Sequence, residues 1–161
     1  MQVSASARVL FVCRGNLCRS PMAMALFQHV LSHTEETGAA CDSAGYYEWA
    51  PFPREAHPFA RRAIAQVIGI DTLAAHRAKP WSDRLVEWAT RIVVAEEWMK
   101  RDFPADKVVT LRGLAGEKGD VDDPYGQEFE TYVHCCSEIR RLIETGIEVL
   151  LNPRSSGELQ R

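Results

Sequence analysis

Apolar and polar positions along this chain switch repeatedly between a strand pattern and a helical one. Val9–Val12 is an unbroken apolar run of the kind a central strand covered on both faces needs. After a turn, Ser20 and Pro21 have the chemistry of a helix cap and first turn, and Ala23, Leu26, Phe27, Val30 and Leu31 then recur at helical spacing. Residues 39–45, AACDSAG, read as a second strand. Pro58 opens a second helix with Ala60, Ala63, Ile64, Val67 and Ile68 on one stripe, and Gly69 closes it. RIVVA (91–95) and KVVTL (107–111) read as strands three and four, with a short helix around 96–103 between them. A last helix from about Gln127 to Glu144 aligns Phe129, Tyr132, Val133, Cys136, Ile139 and Ile143. The alternation predicts an α/β fold: a single domain with a four-stranded parallel sheet flanked by helices on both faces and right-handed crossovers. Its expected extent is residues 1–151, with 152–161 a flexible tail.

Composition narrows the function classes. With 161 residues, 46% of them hydrophobic, the chain can bury one sizeable core. A net charge of -3 gives no general attraction to nucleic acid or to an anionic membrane surface, so any anion site must be local. No segment approaches the roughly 18 apolar residues of a membrane span, and the run at 9–13 is too short for a signal sequence. Five cysteines, an odd number without a secretion signal, argue for reduced thiols and a cytoplasmic location.

The chemistry concentrates where the first strand ends. CRGNLCRS places Cys13 and Arg19 six positions apart around Arg14, Gly15, Asn16, Leu17 and Cys18. Gly15 and Asn16 tolerate left-handed backbone angles, so the loop can curl around a tetrahedral oxyanion. Backbone N–H groups, the positive end of the following helix and the fork of Arg19 would hold that anion. The same field favours the anionic form of Cys13, which is predicted to be a thiolate at neutral pH. A thiolate beside a phosphate cradle points to covalent phosphoryl transfer, and the leaving oxygen then needs a proton. DVDDPYG (120–126), an acidic loop before the last helix, offers donors.

VLFVCRGNLCRSPMA together with DDPYG resembles the low-molecular-weight protein tyrosine phosphatases, whose signature is V-C-x-G-N-x-C-R-S-P near the N-terminus and D-P-Y near the C-terminus. DSAG (42–45), GID with HRAK (69–71, 76–79) and the CC of the last helix fall in family order. The resemblance implies a flavodoxin-like topology, and Cys13 as nucleophile, Arg19 as phosphate ligand and Asp123 as general acid, then base. It implies that Ser20 hydrogen-bonds the thiolate and that Asn16 holds the loop through a network with Ser43 and His76. Arg14, Gly15, Leu17 and Cys18 complete the substrate loop, and Trp49 and Tyr125 flank the entrance. The family needs no metal or cofactor; the expected partner is a phosphorylated protein, met by a monomer. Cys18 reads equally as a buried loop residue and as the partner of Cys13 in a reversible disulfide that protects the nucleophile. Three features depart from the pattern: a single tyrosine in DPYG, Ala95-Glu96 where the family has M-D, and the aromatic segment YYEWAPF (46–52).

Other readings compete. A thiol-based arsenate reductase needs cysteines after the second helix, and residues 71–106 contain none. For a phosphoarginine phosphatase, Leu17 argues against and the single aromatic of DPYG argues for. Structural zinc would need four paired ligands that the remaining residues do not supply. A non-catalytic oxyanion binder would lack the acid, yet Asp123 is present. Cys41, Cys135 and Cys136 read as core thiols, Trp81, Trp88 and Trp98 as packing residues, and His29, His33, His57 and His134 as satisfied or solvated histidines.

Overall fold

The computed structural model describes residues 6–35, 38–48 and 54–152. Four parallel strands, β1 (Arg8–Cys13), β2 (Ala40–Gly45), β3 (Arg91–Val94) and β4 (Val108–Thr110), lie in the order β2-β1-β3-β4. Strand β1 is central and pairs on both edges, with Val12 opposite Ala44 on one side and Val94 on the other. Its unbroken apolar run follows from this position. Val9, Phe11 and Cys13 face one hydrophobic cluster, and Leu10 and Val12 face another.

The first cluster is covered by α1 (Arg19–Ser32), α2 (Pro58–Ile68), α4 (Phe129–Thr145) and the short α5 (Ile147–Leu151). Leu26 and Phe27 of α1 and Ile139 and Ile143 of α4 are fully buried there, each contributing about 1.5–3 kcal/mol. The second cluster lies under α3 (Asp83–Trp88) and the 3₁₀ turn at Glu97–Asp102, where Trp81, Trp88 and Trp98 are partly buried. Helices therefore cover both faces of a parallel sheet, as the alternation predicts. Gly69 ends α2 at φ 89°, a left-handed angle that favours glycine. Arg91, fully buried at the start of β3, donates from Nε to the Val149 carbonyl and so ties α5 to the sheet.

Three elements escape the hydrophobic pattern: α3, α5 and the 3₁₀ turn Arg112–Ala115 are each too short to show a full period. The last helix starts at Phe129 instead of Gln127. The expectation that Ser20 caps α1 is corrected. The helix already begins at Arg19, its N-cap Cys18 makes no side-chain cap bond, and the Ser20 hydroxyl is engaged elsewhere. Trp49 and residues 153–161 lie outside the described residues.

Candidate active site

Strand β1 delivers Cys13 at the carboxyl edge of the sheet, and α1 starts six residues later. Sites in open α/β sheets form at this place. The intervening loop is turned inside out. The carbonyls of Cys13 and Arg14 accept from Tyr46 N and Tyr47 N at 2.7 and 3.0 Å, that of Asn16 meets His76 Nε2 at 2.9 Å, and those of Leu17 and Cys18 accept from His57 N and Met22 N at 3.0 and 3.1 Å. In a planar trans peptide the N–H lies opposite the carbonyl, so the N–H groups of residues 14, 15, 17, 18 and 19 turn toward the inside of the loop.

Asn16 fixes that shape. It is fully buried at φ 59°, the left-handed region, and its amide is used completely. Lys79 N donates to Asn16 Oδ1 at 3.0 Å, which orients the amide, and Nδ2 donates to Ser20 Oγ at 2.8 Å and Ser43 Oγ at 2.9 Å. With an acceptor site of Ser20 taken by Asn16, its hydroxyl hydrogen is free to point at the Cys13 sulfur, 3.0 Å away. Gly45 backs the loop, because a methyl group there would come within 3.2 Å of the Arg14 carbonyl oxygen. Ser43 and His76 are thus brought to the loop. Asn16 and Ser20 lie buried behind the loop and are not part of the cleft lining.

The cleft in front of Cys13 has a volume of about 420 Å³, with Cys13 and Arg19 in its lining beside Gly15, Leu17 and Cys18. Arg19 is 1% exposed. Its Nη1 donates to the Val121 carbonyl at 2.6 Å, and its Nη2 donates to Glu96 Oε2 at 2.8 Å and lies 3.6 Å from Asp123 Oδ2. Its Nε is buried with no hydrogen-bond partner among the described residues, a donor that a bound oxyanion can satisfy. Asp123 and Tyr125 form the opposite wall. Tyr125 is 55% exposed, and its N–H donates to Asp123 Oδ1 at 3.1 Å.

Glu96 organises the cations. It accepts from Arg14 through both oxygens at 2.8 and 2.9 Å, from Arg19, and from Trp98 Nε1 at 2.9 Å. Burial alone would raise its pKa, but the hydrogen bonds from Arg14, Trp98 and Arg19 outweigh it and hold the carboxyl at about 2. The longer acid at the Ala95-Glu96 position therefore reaches both arginines. Cys18 differs from its neighbours: burial pushes its thiol up to about 12, and its Sγ lies 3.5 Å from the Tyr132 hydroxyl. Cys41 and Cys136 are likewise pushed up to about 12 by burial, which keeps them as inert thiols.

Arg54 of the cleft escapes the sequence reading, and His57, read as a satisfied or solvated histidine, packs against Tyr125 of its wall. Arg54, four residues before α2, lines the mouth. His57 caps α2 by accepting from Phe59 N at 3.0 Å, stacks on Tyr132 at 4.9 Å and meets the Tyr125 ring edge at 5.7 Å. Burial, with Arg54 adding to it, lowers the His57 pKa. Apart from the His57 cap, both gain their neighbours only through the fold.

A thiol at the mouth of an inside-out loop, with a buried guanidinium at its side and a carboxylate across the cleft, defines a cysteine-dependent phosphatase. The chain belongs to the low molecular weight phosphotyrosine protein phosphatase family, whose sequence model matches residues 8–155. It is 35% identical over 150 residues to a protein-arginine-phosphatase of Geobacillus stearothermophilus, covering 89% of this chain and 95% of that protein. It is 33% identical to a probable low molecular weight protein-tyrosine-phosphatase of Ralstonia solanacearum, covering 86% of this chain and 92% of that one. Among solved structures, a low molecular weight protein tyrosine phosphatase from T. tengcongensis superposes with a TM-score of 0.82 at 36% identity, covering 90% of this chain and all of that chain. No helix among the described residues is long and apolar enough to cross a membrane.

Proposed function

We propose that this phosphatase removes phosphate from phosphotyrosine in proteins through a phosphocysteine intermediate. The observation that carries the reading is the convergence of Cys13, Arg19 and Asp123 on one cleft, with Asp123 Oδ2 3.6 Å from Arg19 Nη2. The inward N–H groups, the start of α1 and Arg19 hold the three non-bridging phosphate oxygens. The Cys13 sulfur, stabilised by the Ser20 hydroxyl, attacks phosphorus in line and the P–O bond to the ring breaks as S–P forms. Protonated Asp123 gives its proton to the departing phenolate oxygen. Asp123, now a carboxylate, then takes a proton from the water that attacks phosphorus. The S–P bond breaks and returns the thiolate, so the cycle balances with water as the only added reactant.

Phosphotyrosine is preferred over phosphoarginine because of what lines the walls. Leu17 and Tyr125 offer apolar surface to an aromatic ring, and Asp123, the one carboxylate in the lining among the described residues, is paired with Arg19. The guanidino group of phosphoarginine gains little there. The site is built from one chain, which supports a monomer, and the five free cysteines support a reducing, cytoplasmic setting. Side-by-side rates on phosphotyrosine and phosphoarginine peptides test the assignment. Faster release from phosphotyrosine, with a phosphorylated Cys13 trapped during turnover, is expected, and selectivity for phosphoarginine would reverse it.

A further inference from the structure

The cleft has a floor and a rim with different charge states. At the floor, Cys13 and Arg19 are 3% and 1% exposed, and the guanidinium of Arg19 is engaged by Glu96, Asp123 and the Val121 carbonyl. At the rim, Tyr125 and Arg54 are exposed, as is about half of the Arg14 side chain. Arg14 is committed to Glu96 through two bonds. Arg54 forms no ion pair and no side-chain hydrogen bond with any described residue, although its backbone is anchored: its carbonyl accepts from Ala78 N at 2.7 Å. Next to it, Glu55 lies 3.8 Å from Arg77, and His57 N is bonded to the Leu17 carbonyl. The chain thus presents on the rim a cation with an anchored backbone and no counter-ion among the described residues.

A phosphate seated at the floor is served by Arg19 and the loop, so a rim cation meets whatever flanks the phosphorylated residue. We infer that Arg54 selects phosphotyrosine sites carrying a carboxylate within two residues of the phosphotyrosine. This rests on the phosphotyrosine reading above. The chemistry is an exposed guanidinium–carboxylate pair, which gives affinity and on-rate without touching the reacting atoms.

The test uses one phosphotyrosine core sequence with flanking Glu, Gln or Lys, assayed at low ionic strength with the wild-type chain, Arg54→Met and Arg54→Glu. The wild type is expected to show kcat/KM about threefold to fivefold higher for the Glu peptide than for the Gln peptide, a ratio that shrinks as salt is added. The ratio should fall to about 1 in Arg54→Met, and Arg54→Glu should prefer the Lys peptide, a reversal that a merely structural role cannot produce. Equal kcat/KM for the three peptides in the wild type, or an unchanged ratio in both variants, overturns the role of Arg54 while leaving the phosphotyrosine assignment standing. Failure to hydrolyse any of the peptides, with turnover of phosphoarginine instead, overturns both.

Discussion

The cysteine loop and the acid loop face each other across one cleft but are held in opposite ways. The backbone of residues 13–20 is bonded from outside by Tyr46, Tyr47, His57 and His76, and the Asn16 side chain by Ser43 of β2 and Lys79. In residues 122–126 Asp122 and Tyr125 are exposed and Asp123 is half-buried, and the bonds nearest the acid are local, from Tyr125 N to Asp123 and from Gln127 N to the Pro124 carbonyl. The acid loop is pinned mainly at its base, where Val121 N donates to the Ala95 carbonyl and the Val121 carbonyl accepts from Arg19. The difference matches the two jobs. An oxyanion cradle must be finished before the substrate arrives, because reorganising it would cost the stabilisation it provides. A proton donor must meet leaving groups that sit at slightly different depths, and a lightly tethered carboxylate can do so.

Variants on the two sides should therefore fail differently. Cys13→Ser removes the nucleophile from an intact cradle, so turnover of p-nitrophenyl phosphate should fall to background while phosphate binding by calorimetry persists. Residual turnover at a wild-type rate would break the covalent mechanism. Asp123→Asn should slow release from substrates with poor leaving groups by about 10²–10⁴-fold, and slow an activated aryl phosphate much less. An equal loss on both kinds of substrate would assign the proton to another group, with Asp122 the neighbour to examine next.

The same contrast explains what the amino-acid sequence reveals. The cysteine loop is legible because its parts are contiguous: Cys13, Asn16, Arg19 and Ser20 lie within eight positions, and the chemistry of an anion cradle dictates those types. Asp123 is legible through its proline and tyrosine neighbours. Glu96 is visible only as a longer acid in an unusual place, since its partners lie 82 and 77 residues away. Arg54 leaves no local signal, and for His57 only its cap beside Pro58 is local. The one local rule that misleads concerns Ser20, whose hydroxyl would suit a helix cap. The sulfur and Asn16 compete for it successfully because both are brought there by the fold.

Glu96 joins the two sides, so its loss should be felt as stability. Glu96→Gln keeps the shape but leaves Arg19 buried without its full counter-charge, and should cost about 3 kcal/mol at neutral pH. The sign of the pH effect follows from a folded pKa of about 2 against an ordinary 4.5. The carboxylate's contribution is complete above pH 4.5 and is lost as pH falls toward 2. Urea unfolding of wild type and variant should thus show a wide gap at neutral pH that narrows in acid. A gap that stays constant would remove Glu96 from the charge network.

The smallest expected effect is the most specific to the junction between the loops. His57 bonds the Leu17 carbonyl from its backbone while its ring stacks on Tyr132 and meets Tyr125 edge-to-face, so one residue connects the cradle's outer surface to the acid loop's exposed wall. Asn at this position retains a helix cap but has no ring. Each lost ring contact is worth about 0.5–1.5 kcal/mol when buried, and the Tyr125 contact should sit at the low end because that ring is exposed. His57→Asn should therefore raise KM for a phosphotyrosine peptide about twofold to fivefold with kcat nearly unchanged. His57→Phe keeps the ring and loses the cap, and should leave KM close to wild type while lowering the unfolding midpoint. If KM tracks the cap instead of the ring, Tyr125 holds its place without help from α2, and the two walls of the cleft are independent.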